Sequence, residues 1–334
     1  MLKLALLIIG LGALVGIVLH IGVAPIILAV SPLVPLPLAL ILLPMILVYG
    51  LEALGWQLTL GPLAGRVGFM RLFAVRMAGE ALNVTTPSAY VGGEPLKAYL
   101  IKQYGVPMVD GLASVIIAKT IMTLAQILFI LLGIVLAFWI VGGGGYNDFA
   151  MLVSLGLLIF GLGLFLLLQR YGIGLGVLNL LRACGIRLAF LEKRQAQLQE
   201  LDDTIREFYS RKGMVFFGAL ATFFVAWLAE TLEVYAILYF LNVPTDLWSS
   251  VAIAALTVFI KGGTFFIPGS LGAQEGGYTL LLMGFGQSEV TGITFALIRR
   301  FREILWIGVG LVCLMFMKNS KMSSENPLFP SPHS

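Results

Sequence analysis

The 334-residue sequence contains little charge and very little cysteine or histidine. Only 11% of its residues are charged and 59% are hydrophobic, whereas about 25% of a typical soluble domain is charged. The mean hydropathy is +1.00. Several apolar runs reach the roughly 20 residues that a helix needs to cross a bilayer, which excludes an ordinary soluble fold. These runs are continuous rather than alternating, which excludes a transmembrane β-barrel.

The small numbers of metal-binding and thiol side chains exclude further classes. Cys184, Cys313, His20 and His333 are too few for a disulfide framework or for a three-ligand metal site built from those residue types. We therefore expect neither a metal site nor a cofactor. The net charge of +4 arises from basic residues scattered along predicted membrane edges. The positive-inside rule accounts for them, so we expect no nucleic-acid partner.

The apolar runs predict an all-α polytopic membrane protein, with residues 1–318 as a single transmembrane domain. Six runs read as complete spans: Leu4–Ile21, Leu38–Gly55, Gly111–Val141, Ala150–Leu168, Met214–Leu241 and Gly292–Met317. The first run resembles a signal peptide, but it exceeds the usual apolar length of about 7 to 15 residues, and we expect a retained helix. Proline and glycine interrupt two further stretches, Leu72–Val91 and Val251–Ile267.

Loop charge predicts the orientation. Segment 170–212 is rich in Lys and Arg, whereas the links 142–148, 243–248 and 286–290 contain neither. The positive-inside rule then places segment 170–212 and both termini in the cytoplasm. Six complete spans fit this arrangement only if both interrupted stretches enter and leave on the same side. They are then re-entrant broken-helix hairpins, which are tolerated in a membrane where they line a cavity.

Segment 170–212 also contains a helical pattern. Leu191, Leu198, Leu201, Ile205 and Phe208 recur at helical spacing among polar residues, which predicts an amphipathic helix. Such a helix lies on the membrane surface or forms a solvated linker. The tail 319–334, rich in Ser and Pro, is predicted to be disordered.

An ungapped shift of 181 residues relates the two halves, 38–141 and 214–317. It superimposes Glu52 on Glu233, Pro87 on Pro268, Glu94 on Glu275 and Lys119 on Arg300, and it sets Glu80 opposite Lys261. Each half reads span, interrupted hairpin, span, and loop charge gives the halves opposite orientations. We predict an inverted repeat, an architecture in which transporters bind substrate between broken helices. A chance alignment of a few charges is the alternative, because identity between the halves is otherwise slight.

Glycine and polar residues cluster in both interrupted stretches. Asn83 precedes Pro87, the pair Gly92 and Gly93 allows close backbone approach, and Glu94 begins a segment that continues through Lys97. The second stretch repeats these elements with Pro268, Gly269, Gly272 and Glu275. A helix that starts after such a turn presents its N–H groups to an anionic head group such as phosphate. Alternatively, the glycines serve helix packing and the glutamates cap the helices.

Several ionisable residues fall inside predicted spans, where each costs roughly 2.5 to 3.5 kcal/mol. They are Lys119, Glu230, Glu233, Lys261 and the run 299–303. The three arginines of this run match phosphate oxygens, and an i,i+4 pair between Arg299 and Glu303 would neutralise only one of them. Glu230 and Glu233 are expected to pair with Lys119 or Lys261, or to take up a coupling proton. Glu52 is expected to be a boundary charge.

Two motifs carry a family resemblance: PSAYVGGEPLKAYLI at 87–101 and IPGSLGAQEGGYTLLL at 267–282, followed by an arginine-bearing last span. They resemble the membrane region of bacterial lysylphosphatidylglycerol synthases and related stand-alone flippase-like integral membrane proteins, one branch of which is associated with hopanoid biosynthesis. The resemblance implies lipid movement between leaflets of the bacterial cytoplasmic (inner) membrane. Carried over position by position, it implies these lipid-binding residues: Glu80, Asn83, Pro87, Gly92, Gly93, Glu94, Lys97, Pro268, Gly269, Gly272, Glu275 and Arg299 or Arg300.

Full-length synthases add a soluble transferase domain, which nothing after Met317 predicts, so aminoacyl transfer is not expected. The leading prediction is a lipid flippase or transporter rather than an enzyme, with membrane lipids bound by a set of cations: Lys97, Lys119, Lys261, Arg299 and Arg300. An intramembrane enzyme with Glu80, Glu94 or Glu275 as general base is one alternative. A non-catalytic partner of a lipid-biosynthetic enzyme is the other. The sequence leaves open which lipid is moved and whether the chain forms a homo-oligomer.

Overall fold

The computed structural model describes residues 36–85, 92–142, 195–264 and 270–324, together with the single positions 24, 27, 156 and 267. All regular structure in these ranges is helical. The predicted span Leu4–Ile21 lies outside the described residues, as does Ala150–Leu168 apart from position 156. The candidate site residues Pro87, Pro268 and Gly269 are also outside them.

The α-helices of the described ranges are numbered here in chain order. They are α1 Leu36–Leu42, α2 Pro44–Leu60, α3 Ala64–Val67, α4 Phe69–Thr85, α5 Gly93–Lys102, α6 Met108–Val141, α7 Gln195–Arg211, α8 Gly213–Phe240, α9 Leu247–Gly263, α10 Ala273–Gly284 and α11 Glu289–Ser324. A 3₁₀ turn, Gly61–Leu63, joins α2 to α3.

Three helical stretches of the described chain are long and apolar enough to cross a membrane: Leu36–Val67, Met108–Val141 and Gly213–Phe240. They contain or closely match the spans predicted at 38–55, 111–141 and 214–241, and they confirm a helical membrane protein. The predicted span 292–317 lies within α11, which has 36 residues and carries the charged run 299–303. This helix continues to Ser324, past the predicted start of the tail at position 319.

Local sequence signals explain several helix ends. Pro44 occupies the first turn of α2, and α6 follows Pro107, in agreement with the preference for proline at helix starts. The α6 helix ends at Gly142, whose φ is +83°, a conformation that glycine adopts without steric cost. Asp246 caps α9 by accepting a hydrogen bond from the backbone N–H of Ser249 at 2.7 Å.

The helices recur along the chain at the predicted offset. Met108 begins α6 and Glu289 begins α11, 181 residues later. The pair α4–α5 likewise corresponds to α9–α10. The packing follows the same correspondence, since α4 packs against α11 while α9 packs against α6, and α2 packs against α8. The re-entrant course of the two hairpins and the opposite orientation of the halves stay predictions.

Glycines bring these helices close together. A Cβ atom at Gly55 would meet the ring of Phe223 on α8, one at Gly133 would meet Ala255 on α9, and one at Gly310 would meet the backbone of Met77 on α4. Small residues at helix crossings are typical of membrane proteins. Here the close crossings bring the charged side chains of neighbouring helices within reach of one another.

The amphipathic helix predicted in segment 170–212 is present as α7. Leu201, Ile205 and Phe208 are buried on its apolar face, and α7 packs against α6 and α8. These three side chains are therefore covered by neighbouring helices of the protein rather than by lipid or solvent.

Candidate functional site

A cavity of about 320 Å³ lies among α2, α4, α6, α8, α9, α10 and α11. Its lining includes seven pairs of residues that lie 181 positions apart: Tyr49 and Glu230, Met77 and Val258, Glu80 and Lys261, Ala81 and Gly262, Lys119 and Arg300, Met122 and Glu303, Gln126 and Ile307. The cavity thus lies between a first segment, 38–141, and a second segment, 214–317. The inverted repeat that would relate the two segments stays a prediction.

On the side formed by the first segment, α4, α5 and α6 share an ion-pair cluster. The ammonium of Lys97 lies 3.0 Å from Glu94 and 3.7 Å from Glu80. Lys119 of α6 lies 3.7 Å from Glu94. The amide of Asn83 donates to both carboxylates, at 3.3 Å to Glu80 and 3.2 Å to Glu94. Glu94 therefore joins the short helix α5 to α4 and to the long helix α6.

The second segment has an equivalent cluster around α10 and α11. Nε of Arg300 donates to Glu275 at 2.6 Å, and another nitrogen of the same guanidinium donates to Glu303 at 3.0 Å. Lys261 of α9 donates to Glu303 at 2.6 Å, and the amide of Gln274 donates to it at 3.3 Å. Glu303 is thus the common acceptor of three helices.

The deepest ion pairs connect α8 to α11. Glu233 is fully buried and lies 3.0 Å from Arg302 and 3.4 Å from Arg299. Arg299 also donates to Glu230 and to the hydroxyl of Thr257. Both arginines are almost completely buried, so these carboxylate partners neutralise charges that would otherwise be costly between α8 and α11.

These contacts correct several expectations about the charges. All three arginines of the run have carboxylate partners, so internal neutralisation is not limited to one of them. Arg299 pairs with the carboxylates of α8 rather than with Glu303, because the close approach of α8 supplies two of them. For the same reason Glu230 and Glu233 pair with Arg299 and Arg302, not with Lys119 or Lys261. Glu52 is not a boundary charge, because it is buried and paired with Arg76.

The network is balanced in charge. It contains as many carboxylates as cations, namely Glu52, Glu80, Glu94, Glu230, Glu233, Glu275 and Glu303 beside Arg76, Lys97, Lys119, Lys261, Arg299, Arg300 and Arg302. An uncompensated charge in a low-dielectric interior costs several kcal/mol. Mutual neutralisation therefore allows this many ionised groups to lie between apolar helices.

Exposure divides the network into two classes. The side chains of Lys119, Lys261 and Glu80 are 41%, 38% and 33% exposed, and all three line the cavity. Arg299 and Arg302 are 2% and 5% exposed. The two lysines and Glu80 are therefore the more accessible charges of the cavity wall, whereas Arg299 and Arg302, which also line the cavity, are almost completely buried.

At each helix start predicted to hold an anion, one backbone N–H has a protein partner. The backbone N–H of Gly93, at the start of α5, donates to the side chain of Asn83 at 2.7 Å. The N–H of Gly272, before α10, donates to Glu275 at 2.7 Å. Glu275 thus caps its helix with one oxygen and binds Arg300 with the other. A Cβ atom at Gly93 would overlap the carbonyl group of Gly79, so this glycine serves close packing of α4 and α5.

Sequence reasoning missed two parts of the lining. Arg76 lies over the ring of Tyr49, 4.9 Å from its centroid, and Trp306 meets the same ring edge-on at 5.1 Å. The only signal for Arg76 was a single arginine inside an interrupted apolar stretch. Nothing in the sequence related Tyr49 to Trp306, because they lie on helices α2 and α11 that meet only in the fold.

The fold and this network define a helical membrane protein with a charged cavity inside a bundle of apolar helices. Residues 1–311 match the family described as the lysylphosphatidylglycerol synthase TM region, and the chain belongs to this family. The family resemblance expected from the two motifs is confirmed. The chain is also similar to a UPF0104 membrane protein of Methanothermobacter thermautotrophicus, with 28% identity over 290 residues that cover 81% of this chain and 82% of that protein. No solved structure matches it significantly.

Proposed function

We propose that the protein is a lipid flippase or transporter that moves a lipid with an anionic or polar head group between bilayer leaflets. The observation that carries this proposal is the cavity of about 320 Å³ with two half-exposed lysines in its wall. Its walls include α2, α6 and α8, which contribute to the stretches long and apolar enough to cross a membrane. A polar cavity among such helices suits a head group that passes the hydrocarbon core while its acyl chains stay in the lipid.

Lys119 and Lys261 would contact the head group. The ammonium of Lys119 is 3.7 Å from the carboxylate of Glu94, so it can turn toward a phosphate oxygen at small cost. Lys261 can donate to the same phosphate while Glu303 keeps its bonds from Arg300 and Gln274. The remaining cations would hold the helices and keep the cavity neutral.

Transport suits this lining better than catalysis. In the described part of the chain, the cavity wall contains no cysteine, histidine or serine, and the hydroxyl of Thr123, which lines it, donates to the backbone carbonyl of Lys119 at 2.9 Å. Its carboxylates are engaged in ion pairs, which leaves none in the arrangement of a general base beside a nucleophile. The family description refers to a transmembrane region, and the name of the relative states no activity.

The proposed setting is the bacterial cytoplasmic membrane, with both termini on the cytoplasmic side. Loop charge supports this orientation, since the long basic segment 170–212 and the lysines near both ends would lie on one side. Movement of the two hairpins against the rest of the bundle would expose the cavity to each leaflet in turn.

The test is lipid movement in proteoliposomes. Phospholipids carrying a fluorophore on an acyl chain, with unmodified head groups, are placed in both leaflets, and a membrane-impermeant quencher reports those that reach the outer one. We expect the wild type to expose the inner pool faster than empty liposomes. Lys119→Gln and Lys261→Gln should slow this about tenfold, as for loss of one charge-assisted hydrogen bond. Lys102→Gln, at an exposed position at the end of α5, is the matched control.

Failure is equally clear. Exposure no faster than in empty liposomes, for phosphatidylglycerol, phosphatidylethanolamine and phosphatidic acid alike and with folded protein, contradicts transport of these lipids. The non-transporting partner of a lipid-biosynthetic enzyme then becomes the function to test.

A further inference from the structure

The charge balance of the network limits what can enter the cavity. The network contains as many carboxylates as cations, so an anionic head group adds a negative charge that no group of the network compensates. An uncompensated charge in a low-dielectric interior is costly. Tight binding of an anion therefore requires that a positive charge enters with it.

Glu80 is the carboxylate of the network that is most accessible from the cavity. Its side chain is 33% exposed, whereas those of Glu94 and Glu303 are 13% exposed. The other carboxylates of the network are 9% exposed or less. Glu80 lines the cavity, so water in the cavity can deliver a proton to it.

Glu80 also has the weakest ion pair of the network. Among the described residues its ion-pair partner is Lys97, at 3.7 Å, and the same ammonium lies closer to Glu94, at 3.0 Å. Every other carboxylate of the network has a cation at 3.0 Å or less. The amide of Asn83 donates to Glu80 at 3.3 Å, and this bond can persist in a protonated carboxyl group because the proton can lie on the other oxygen.

The charges around Glu80 come from several helices. Arg76 of α4 and Lys119 of α6 interact with it electrostatically, and both line the cavity. On the helices packed against α4, the charged or titratable side chains near the cavity are Tyr49 and Glu52 of α2, Glu94 and Lys97 of α5, and Arg299, Arg300, Arg302 and Glu303 of α11. If Lys119 turns to a phosphate, Glu80 is the carboxylate left with the least positive charge around it.

We propose that Glu80 binds one proton when an anionic head group enters the cavity, so that lipid and proton are bound together. This rests on the proposed function, which brings the head group to Lys119. A proton from water adds to a carboxylate oxygen of Glu80, and the carboxylic acid returns it to water when the head group leaves. A metal cation needs several oxygen ligands, and in the described ranges no group of three or more acidic, histidine or cysteine side chains is placed to hold one. A pH difference across the membrane then drives the lipid.

The test counts the protons that are taken up as lipid binds. Solubilised protein in weakly buffered detergent solution at pH 7, with a pH-indicator dye, is titrated with phosphatidylglycerol, which has one negative charge, or with phosphatidylethanolamine, which has no net charge. For the wild type we expect uptake of about one proton per phosphatidylglycerol and none with phosphatidylethanolamine. Its affinity for phosphatidylglycerol should fall about tenfold for each unit of pH above 7.

Three variants assign the proton to Glu80. Glu80→Gln is neutral at every pH, so proton uptake should be lost and the affinity for phosphatidylglycerol should not depend on pH. Glu80→Asp keeps a carboxyl group and should keep the uptake. Glu289→Gln, at an exposed position in the first turn of α11, is the matched control and should behave as the wild type. If Glu80→Gln does not fold, Glu80→Met provides the neutral side chain.

The outcomes separate this inference from the proposed function. Proton uptake with phosphatidylglycerol, without lipid movement in the proteoliposome assay, overturns the proposed function and keeps the inference. Lipid movement by a wild type that binds phosphatidylglycerol without proton uptake does the reverse. Equal uptake with both lipids, or full uptake in the neutral variant, also overturns the inference. Absence of phosphatidylglycerol binding at any pH overturns both.

Discussion

Nε of Arg300 lies 2.6 Å from the carboxylate of Glu275, and 181 residues earlier the ammonium of Lys119 lies 3.7 Å from the carboxylate of Glu94. In each half the pair connects a short helix to the long helix that follows it. The two pairs differ in burial, because the Arg300 and Glu275 side chains are 14% and 1% exposed whereas those of Lys119 and Glu94 are 41% and 13% exposed. The pair of the second half is therefore the more firmly fixed of the two.

This difference predicts that replacing glutamate by glutamine lowers the free energy of unfolding more at Glu275 than at Glu94. Glu275→Gln removes the more deeply buried of the two carboxylates that pair with Arg300 and weakens the cap on Gly272, so we expect a loss of about 3 kcal/mol in the free energy of unfolding. Glu94→Gln should cost clearly less, because Lys97 keeps its pair with Glu80 and Lys119 is partly solvated. Denaturant titration in detergent micelles measures both. Equal losses in the two variants would show that the two pairs are equivalent.

Close backbone packing at Gly93 predicts that this glycine does not tolerate a larger side chain, whereas Gly50 does. A Cβ atom there would overlap the carbonyl group of Gly79, and backbone cannot move aside cheaply in a packed interior. We expect Gly93→Ala to separate α4 from α5, to destabilise the protein by more than about 2 kcal/mol and to abolish lipid movement. Gly50→Ala is the control, since the space around this helical glycine is open within 4 Å and alanine favours the helix. Unchanged thermal unfolding of Gly93→Ala would contradict the close contact.

Much of this architecture was predictable from the sequence. Hydrophobic runs indicate the apolar helices because burial in lipid requires about 20 apolar residues, and the offset of 181 aligned Glu94 with Glu275 and Lys119 with Arg300 before any contact was known. The alignment therefore indicated that the pairs Lys119–Glu94 and Arg300–Glu275 occupy corresponding positions in the two halves. The helix ends at Gly142 and Asp246 follow from the same local rules.

The assignment of partners was not predictable. On its own helix, Arg299 has Glu303 one turn away, and an i,i+4 rule pairs them. The structure instead gives Arg299 two carboxylates of α8. Which helices cross, and at what height, depends on packing between residues far apart in sequence. The same limit applies to Glu52. Its partner Arg76 lies in the next apolar stretch of the sequence, and nothing in the sequence indicated that the two side chains meet.

The cap on α9 predicts a pH-dependent contribution to stability. Hydrogen bonds from the Ser249 side chain and backbone N–H lower the pKa of Asp246. A lowered pKa in the folded state stabilises the protein above the unfolded pKa of about 3.9, and this contribution is lost as the pH falls through the folded pKa. We expect Asp246→Ala to cost about 1 kcal/mol at pH 7, and the difference from wild type to shrink below pH 4. Asp246→Asn, which still accepts from Ser249, should cost less. A constant difference at all pH values would contradict the role of the carboxylate.

Docking of α7 against the membrane helices predicts that its apolar face contributes to global stability. Phe208 is 3% exposed and belongs to the core shared with α6 and α8, so Phe208→Ala should cost about 3 kcal/mol. Arg206→Ala, on the exposed face of the same helix, should change stability by less than about 0.5 kcal/mol. Both are measured by thermal unfolding in detergent and again in lipid nanodiscs. If α7 only lay on the membrane surface, Phe208→Ala would weaken its contact with lipid and lower the unfolding temperature in nanodiscs but not in detergent. Equal loss in both environments is expected, because the partner surface of Phe208 is protein.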